Sequence, residues 1–417
     1  MSDEQLRTPA IDEARLALRI EELGRIGQHP DGGLYRALYE PSWNEAMDTV
    51  EGWMQHDGLD TYRDAVGNLY GRLEGVESAR SIVSGSHIDT VKQGGAYDGA
   101  LGIHAALEAV LSLKAAFGRP RKSLEVLVTC EEEGSRFQSD FWGARAITGG
   151  IAPDDVDRIV ALDGTAEPLR VAMQRQGLDP DATGDAARDD VDAFIELHIE
   201  QGRVLEEADR QVAIVEAITG QVHLLVTVTG RQDHAGTTPM DLREDAFAAA
   251  ADMACRIERR ARDMGRPAVA TVGSVAVQPD AINVIPGQVT FTVDFRHPDA
   301  QALRVMDEQI RSDIAAVQSE RPVGCHVETL MDHHPVPMDP ALIDLLGRAS
   351  DEVVGYRFPM PSGAGHDAQV MARAIPTGMI FVPSTEGLSH TPLEHTPLDD
   401  LVPGTRVLAT ALHALAY

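Results

Sequence analysis

The chain of 417 residues is poor in cysteine, in positive charge and in long apolar runs, and each shortage excludes something. Its three cysteines, Cys130, Cys255 and Cys325, are scattered and odd in number, so no disulfide framework is indicated. They read as small buried apolar residues of a reducing compartment. Lysine and arginine number 36 against 66 acidic side chains, and the formal charge of -30 repels phosphate backbones and anionic lipid surfaces alike. Nucleic acid is excluded as a partner, and the surplus acid reads as a solubility device. No apolar run approaches the roughly 20 residues that span a bilayer. The N-terminus, MSDEQLRTPAIDEARLALRI, is polar and acidic and lacks the basic-then-apolar layout of a signal peptide. A cytoplasmic protein without a membrane partner is expected. A G-x-S-x-G elbow, a Walker-type phosphate loop and a dinucleotide fingerprint after a strand are also missing. No cysteine has the histidine or helix-start setting of a thiol nucleophile.

What is present has the size and rhythm of two domains. A helical pattern runs from about Ala10 to Gly58. Short apolar runs at Ser81–Gly85, Leu124–Thr129 and Ala193–His198 alternate with a helix over Ala100–Phe117, which predicts a mostly parallel α/β sheet. Active-site groups in such sheets gather at the carboxyl ends of strands, where His87, Glu132, Glu133 and His198 fall. After about Ala213 the texture changes. Alternating strands at Val222–Thr229, Thr271–Val277, Val289–Phe295 and near His326–Thr329, with helices at Arg243–Met264 and Ala302–Gln318, describe an α+β layer with one open sheet face. The expected arrangement is a catalytic domain, 1–213 and 332–417, interrupted by an inserted domain, 214–331.

Four short strings carry the chemistry: GSHIDTVKQGGAYDG, EEEGSRF, ELHIEQG and GLSHTPLEHT. Each sets a carboxylate or imidazole beside small residues, where a metal can approach. Together His87, Asp98, Glu133, His198 and His390 describe a hydrolase with two metal ions, which needs deprotonated oxygen or imidazole ligands and one carboxylate able to bridge. Asp89, two residues after His87, is placed to orient its ring. Asp98 lies among Gly94, Gly95 and Gly99 at a helix start, free to present both oxygens. Glu132 and Glu133 offer two adjacent carboxylates, of which one can ligate while its neighbour stays free to shuttle protons. His366 reads as loop-shaping, and His104 and His223 as structural or surface residues.

These strings resemble the amidohydrolase branch of the di-metal aminoacylase and carboxypeptidase superfamily, most closely the allantoate amidohydrolases, with N-carbamoyl-L-amino-acid hydrolases next. The likeness extends through GGLYRALYEPSW, VGNLYGRL, FWGARAI, DHAGTTPM, NVIPG, DFRH, SGAGHDAQ and MIFVPS. The FWG string, Val336–Met338 and Gln369 point towards allantoate within the branch. The resemblance implies one divalent cation on His87, Asp98 and His198 and a second on Asp98, Glu133 and His390. Mn2+ is the expected metal, with Zn2+, Co2+ or Ni2+ as alternatives. It implies Glu132 as the general base and His234 as the group that stabilises the oxyanion. Arg296 would clamp the substrate carboxylate, Asn283 and Gln201 would bond ureido or carboxylate oxygens, and Ser362 and Gly363 would line the pocket with main-chain donors. It further implies a small ureido-acid substrate and a homodimer formed through the inserted domain, which would act as a lid.

Overall fold

The computed structural model describes residues 6–77, 79–152 and 154–417; the first five residues of the acidic N-terminus lie outside them. Two compact units result. The first comprises the chain up to Glu216, Met338–Met360 and Gly365–Tyr417; the second comprises Ala217–Pro337 and Pro361–Ala364. The boundaries expected at 213/214 and 331/332 fall at or inside the strands Ala213–Ile218 and Gly324–His333, whose continuity carries each division a few residues further.

The first unit is built on a mixed sheet. Its four central strands, in the order Ser123–Thr129, Ser81–His87, Val191–Ile199 and Thr377–Val382, are all parallel. Antiparallel neighbours flank them: Leu69–Leu73 and Asp60–Arg63 on one side, Ala213–Ile218 on the other. Every residue of Ser81–His87 and Ser123–Thr129 is buried, as parallel strands covered on both faces require. The helix Ala100–Phe117 packs along these strands and against the last helix, Leu398–Ala416. It is long and apolar enough to cross a membrane, but its residues from Ala100 to Leu113 are all buried, so it is the core helix of a two-faced sheet. The helical pattern expected over Ala10–Gly58 resolves into Glu13–Leu23 and Pro41–His56, the second opened by a proline at its first position.

The second unit is a four-stranded antiparallel sheet in the order Gly324–His333, Gly220–Thr229, Gln288–His297, Val269–Gln278. Burial alternates along its two central strands: Val222, Leu224, Val226 and Val228 point inward, as do Val289, Phe291, Val293 and Phe295. The helices Ala246–Met264 and Ala300–Glu320 cover that face with Ala249, Met253, Ile257, Met306 and Ile310. The first begins three residues later than its pattern suggests because Asp245 caps it, its side chain accepting from the N–H groups of Phe247 and Ala248. Cysteine burial differs from expectation: Cys130 is buried, but Cys325 is half-buried and Cys255 exposed on its helix.

His104 gives the core a pH dependence. The ring is buried, 5.9 Å from Trp53, and neither nitrogen has a hydrogen-bond partner among the described residues. Burial, with Arg36 and Arg19 nearby, lowers its pKa to about 3. The folded value is below the unfolded value of about 6.5, so the unfolded chain takes the proton first and stability is lost as pH falls from about 6.5 towards 3. We expect His104→Leu to flatten that acid limb, with a relative gain of about 2–3 kcal/mol at pH 4.5, read from urea midpoints at pH 7 and 4.5. Parallel curves for the two proteins would contradict a neutral buried ring.

Candidate metal centre

All four parallel strands deliver polar side chains at their carboxyl ends. His87 closes Ser81–His87, the acidic run Glu131–Glu133 follows Ser123–Thr129, His198 lies at the end of Val191–Ile199, and the loop after Thr377–Val382 carries Ser389 and His390. Asp98 enters from the turn before the core helix. That turn needs Gly99, whose φ is +62° and where a Cβ would lie 2.4 Å from the His87 ring.

These side chains converge. Asp98 Oδ1 is 3.2 Å from His198 Nε2 and 3.5 Å from His87 Nε2, while its Oδ2 is 3.2 Å from His390 Nε2. His390 Nε2 is also 3.3 Å from Glu133 Oε1, and His87 Nε2 is 3.8 Å from Glu132 Oε2. The two oxygens of Asp98 thus face two sets of partners, with His87 and His198 on one side and His390 and Glu133 on the other. His390 holds left-handed backbone, φ +56°, where a non-glycine residue persists only under constraint.

The donor set fits divalent cations. His87 Nδ1 lies 3.0 Å from the Asp89 carbonyl and His198 Nδ1 2.9 Å from the Ile199 carbonyl. A carbonyl only accepts, so each Nδ1 carries the proton and each Nε2 keeps its lone pair, which on His198 accepts the N–H of Gly99 at 3.1 Å. Among the described residues the ion-pair partners of Asp98, Glu132 and Glu133 are histidines alone. Buried carboxylates without lysine or arginine call for other positive charge. Burial disfavours a charged His87, yet Glu132, Asp98 and Asp89 hold its pKa well above the ordinary value. Asp98 and Glu133 push His390 up to about 10. Protons thus gather where divalent cations would take their place.

The orienting role expected of Asp89 falls differently. Its main-chain carbonyl meets the His87 ring, while its carboxylate, 3.9 Å from that ring, accepts the N–H groups of Glu132 and Glu133 at 3.2 Å each. Asp89 therefore fixes the acidic loop as well as the histidine. Glu131 is turned away, its carboxylate accepting the N–H groups of Arg136 and Phe137; burial and Asp89 push it up to about 8.

Gln201 joins the same site. Its Nε2 donates to Asp98 Oδ2 at 2.8 Å, and its buried Oε1 has no partner among the described residues. The resemblance implied that it bonds oxygens; with the amide nitrogen engaged by Asp98 and Ser389, the open atom is an acceptor. The remaining expected residues belong to the second unit. His234 and Asn283 meet where Val284–Ile285 pairs with Asp233–His234, the Asn283 carbonyl accepting from Ala235 N. His234 Nδ1 accepts the N–H of Gly236 at 3.0 Å, which leaves Nε2–H as a donor. Arg296 is engaged by Asp294 through Nε and Nη2, at 3.0 and 2.7 Å, and by the Gly363 carbonyl through Nη1. One N–H on each terminal nitrogen is left for a bidentate partner. The Ser362 hydroxyl donates to the Ala364 carbonyl at 2.8 Å, and the Gly363 carbonyl accepts from Arg296 Nη1 at 2.8 Å.

Sequence reasoning missed Glu196, Ser389 and Glu394, while His366, read there as a loop-shaping residue, stacks edge-on against the His198 ring at 4.5 Å. Glu196 and His366 form a further donor group with His198. The signal was the two-residue spacing of Glu196 and His198, which puts both on one face of a strand. Glu196 is already anchored, accepting Ser86 Oγ at 2.6 Å and Ala368 N at 3.0 Å.

Imidazole and carboxylate donors at the ends of parallel strands, with a free buried carboxylate beside them, define a metal-dependent hydrolase. The model of the peptidase family M20/M25/M40 matches residues 83–414. The chain is 43% identical over 397 residues to the allantoate amidohydrolase of Escherichia coli (strain K12), covering 95% of this chain and 96% of that protein. It is 39% identical over 404 residues to the N-carbamoyl-L-amino-acid amidohydrolase of Paenarthrobacter aurescens, covering 96% and 97%. A hydantoinase/carbamoylase family amidase from Burkholderia multivorans shares its fold with a TM-score of 0.91 at 33% identity, over 98% of both chains. The chain belongs to the M20/M25/M40 peptidase family, and within it to the metal-dependent amidohydrolases, as its motif strings implied.

Proposed function

We propose that the protein hydrolyses the terminal carbamoyl group of a small ureido acid, with allantoate as substrate and ureidoglycine, ammonia and carbon dioxide as products. The observation that carries this reading is Asp98, whose two oxygens are divided between two donor sets, in a chain 43% identical to an allantoate amidohydrolase. His87, Asp98 and His198 would hold one divalent cation, and Asp98, Glu133 and His390 the other. Cations there lower the pKa of water and polarise a carbonyl. We propose Mn2+, although oxygen and imidazole donors also accept Zn2+, Co2+ or Ni2+.

The chain's own groups do the rest. Glu132 takes the proton of the attacking water and delivers it to the leaving nitrogen as the C–N bond breaks. The Nε2–H of His234 meets the oxyanion, and the free edge of Arg296 takes the substrate carboxylate. Gln201 Oε1 accepts a ureido N–H, which satisfies an otherwise orphaned acceptor, and Asn283 supplies a further amide. Arg296→Lys is expected to raise KM for carboxylate-bearing substrates about 10- to 100-fold with a smaller change in kcat, because an ammonium cannot reproduce a planar pair of donors. An unchanged kcat/KM would remove the clamp. The four-stranded sheet ends at Gly324–His333 and Val269–Gln278, where Val269, Val275 and Leu330 are exposed, and we propose that this unit pairs with a second copy. A monomer by sedimentation at micromolar concentration would contradict it. A cytoplasmic setting accords with the free cysteines.

Ammonia release by the Mn2+-loaded protein, from allantoate and from N-carbamoyl-L-methionine side by side with a chelator control, tests the reading. Chelator-sensitive release from allantoate supports it. Preference for the carbamoyl amino acid would move the protein to its sister activity, and silence with both would overturn the assignment.

A further inference from the structure

Asp98 is gripped by a serine and a glutamate outside the proposed ligand set. Ser389 Oγ donates to Asp98 Oδ2 at 2.7 Å and lies 3.2 Å from Glu394 Oε2. Glu394 Oε1 accepts two consecutive main-chain N–H groups, Tyr97 at 2.8 Å and Asp98 itself at 2.9 Å. Glu394 is buried, and the approach depends on Gly95, where a Cβ would lie 2.2 Å from Glu394 Oε1. Both residues belong to the loop that presents His390.

The geometry suits a particular task. The terminal torsion of an aspartate is broad, so nothing intrinsic keeps its two oxygens in separate roles. Here the main chain of Asp98 is pinned by Glu394 and its Oδ2 by Ser389, with Gln201 as a second donor to the same oxygen. The hydroxyl has one proton, and the shorter distance assigns it to Asp98. A carboxylate oxygen has two lone pairs, so with a cation on Oδ2 one of its two donors keeps its bond, and the shorter belongs to Ser389.

We propose that Ser389 and Glu394 act as a clasp that positions Asp98, holding Oδ1 towards His87 and His198 and Oδ2 towards His390, and that the clasp sets the affinity of the cation on the His390 side. They are positioning residues, and the inference rests on the reading of Asp98 as a shared ligand.

Titration of the metal-free full-length protein with Mn2+ alone, by calorimetry, tests it, with melting of each metal-free variant as the check on folding. Ser389→Ala and Glu394→Ala are expected to weaken one of the two Mn2+ sites about 10- to 100-fold and leave the other near its parent affinity, the usual effect of losing a hydrogen-bond partner of a ligand. Glu394→Gln, which keeps an oxygen for the two N–H groups, is expected to recover most of that loss. A merely structural glutamate would change melting without this pattern. Asp98→Asn is the reference. If it loses Mn2+ while Ser389→Ala and Glu394→Ala fold and bind like the parent, the clasp is overturned. If Asp98→Asn itself binds normally, the ligand assignment fails instead. Should Glu394→Ala not fold, Ser389→Ala decides, being a small change beside the loop.

Discussion

Glu132→Gln is expected to keep its bound metal and lose between about a hundred- and ten-thousand-fold in kcat, the range that a positioned general base supplies. The main chain of Glu132 is fixed on both sides: its N–H is held by Asp89, and its carbonyl accepts Phe141 N at 3.2 Å. Its Oε2 lies 3.8 Å from His87 Nε2, beside the donor groups. Burial raises its pKa well above the usual carboxylate range, with Glu133, Asp367 and Asp89 adding to the shift and His87 opposing it. That direction makes it a stronger base than a solvated glutamate. Glutamine keeps the size and removes only the ability to take a proton. Metal content per chain and kcat, measured on the same preparation, check the prediction. Substantial turnover would reassign the base, and lost metal would make Glu132 a ligand.

Asp98→Asn is expected to abolish tight binding of both cations and, with it, turnover. One neutral oxygen cannot serve the two donor sets that the carboxylate serves at 3.2 Å on each side. Burial works against ionisation of Asp98, but His198, His390 and His87 hold its carboxyl well below the usual range, so it is charged throughout the working pH range. Without metal, the variant loses a buried charge that three histidines hold in place, so its metal-free form should melt below the parent. The check is the rise in melting temperature on adding Mn2+, which the parent should show and Asp98→Asn should lack. An equal rise in both proteins would contradict the shared role.

The sequence was most legible where period and position coincide. The helix Ala100–Phe117 has the bounds its pattern predicts, and Val222–Thr229 and Val289–Phe295 alternate as the pattern requires because one face of their sheet is buried. The metal-type donors were legible because each follows a strand or opens a helix. Less visible was what depends on partners far along the chain. The antiparallel flank Asp60–Arg63 and Leu69–Leu73 draws its pairing from Ser123–Thr129, some 50 residues on. The hydrogen bonds of Asp89, Gln201 and Ser362 are settled by main-chain groups and rotamers that spacing cannot specify. Glu394 lies four residues beyond His390, and its target is the backbone of Tyr97 and Asp98. A short acidic string shows that an acid is present, not which amide it will hold.

The central claim is a pair of cations sharing Asp98. Crystals of the full-length protein soaked in Mn2+ and measured at the manganese edge test it most directly. Two anomalous peaks are expected, one among His87, Asp98 and His198 and one among Asp98, Glu133 and His390. A single peak elsewhere, or peaks that do not share Asp98, would contradict it.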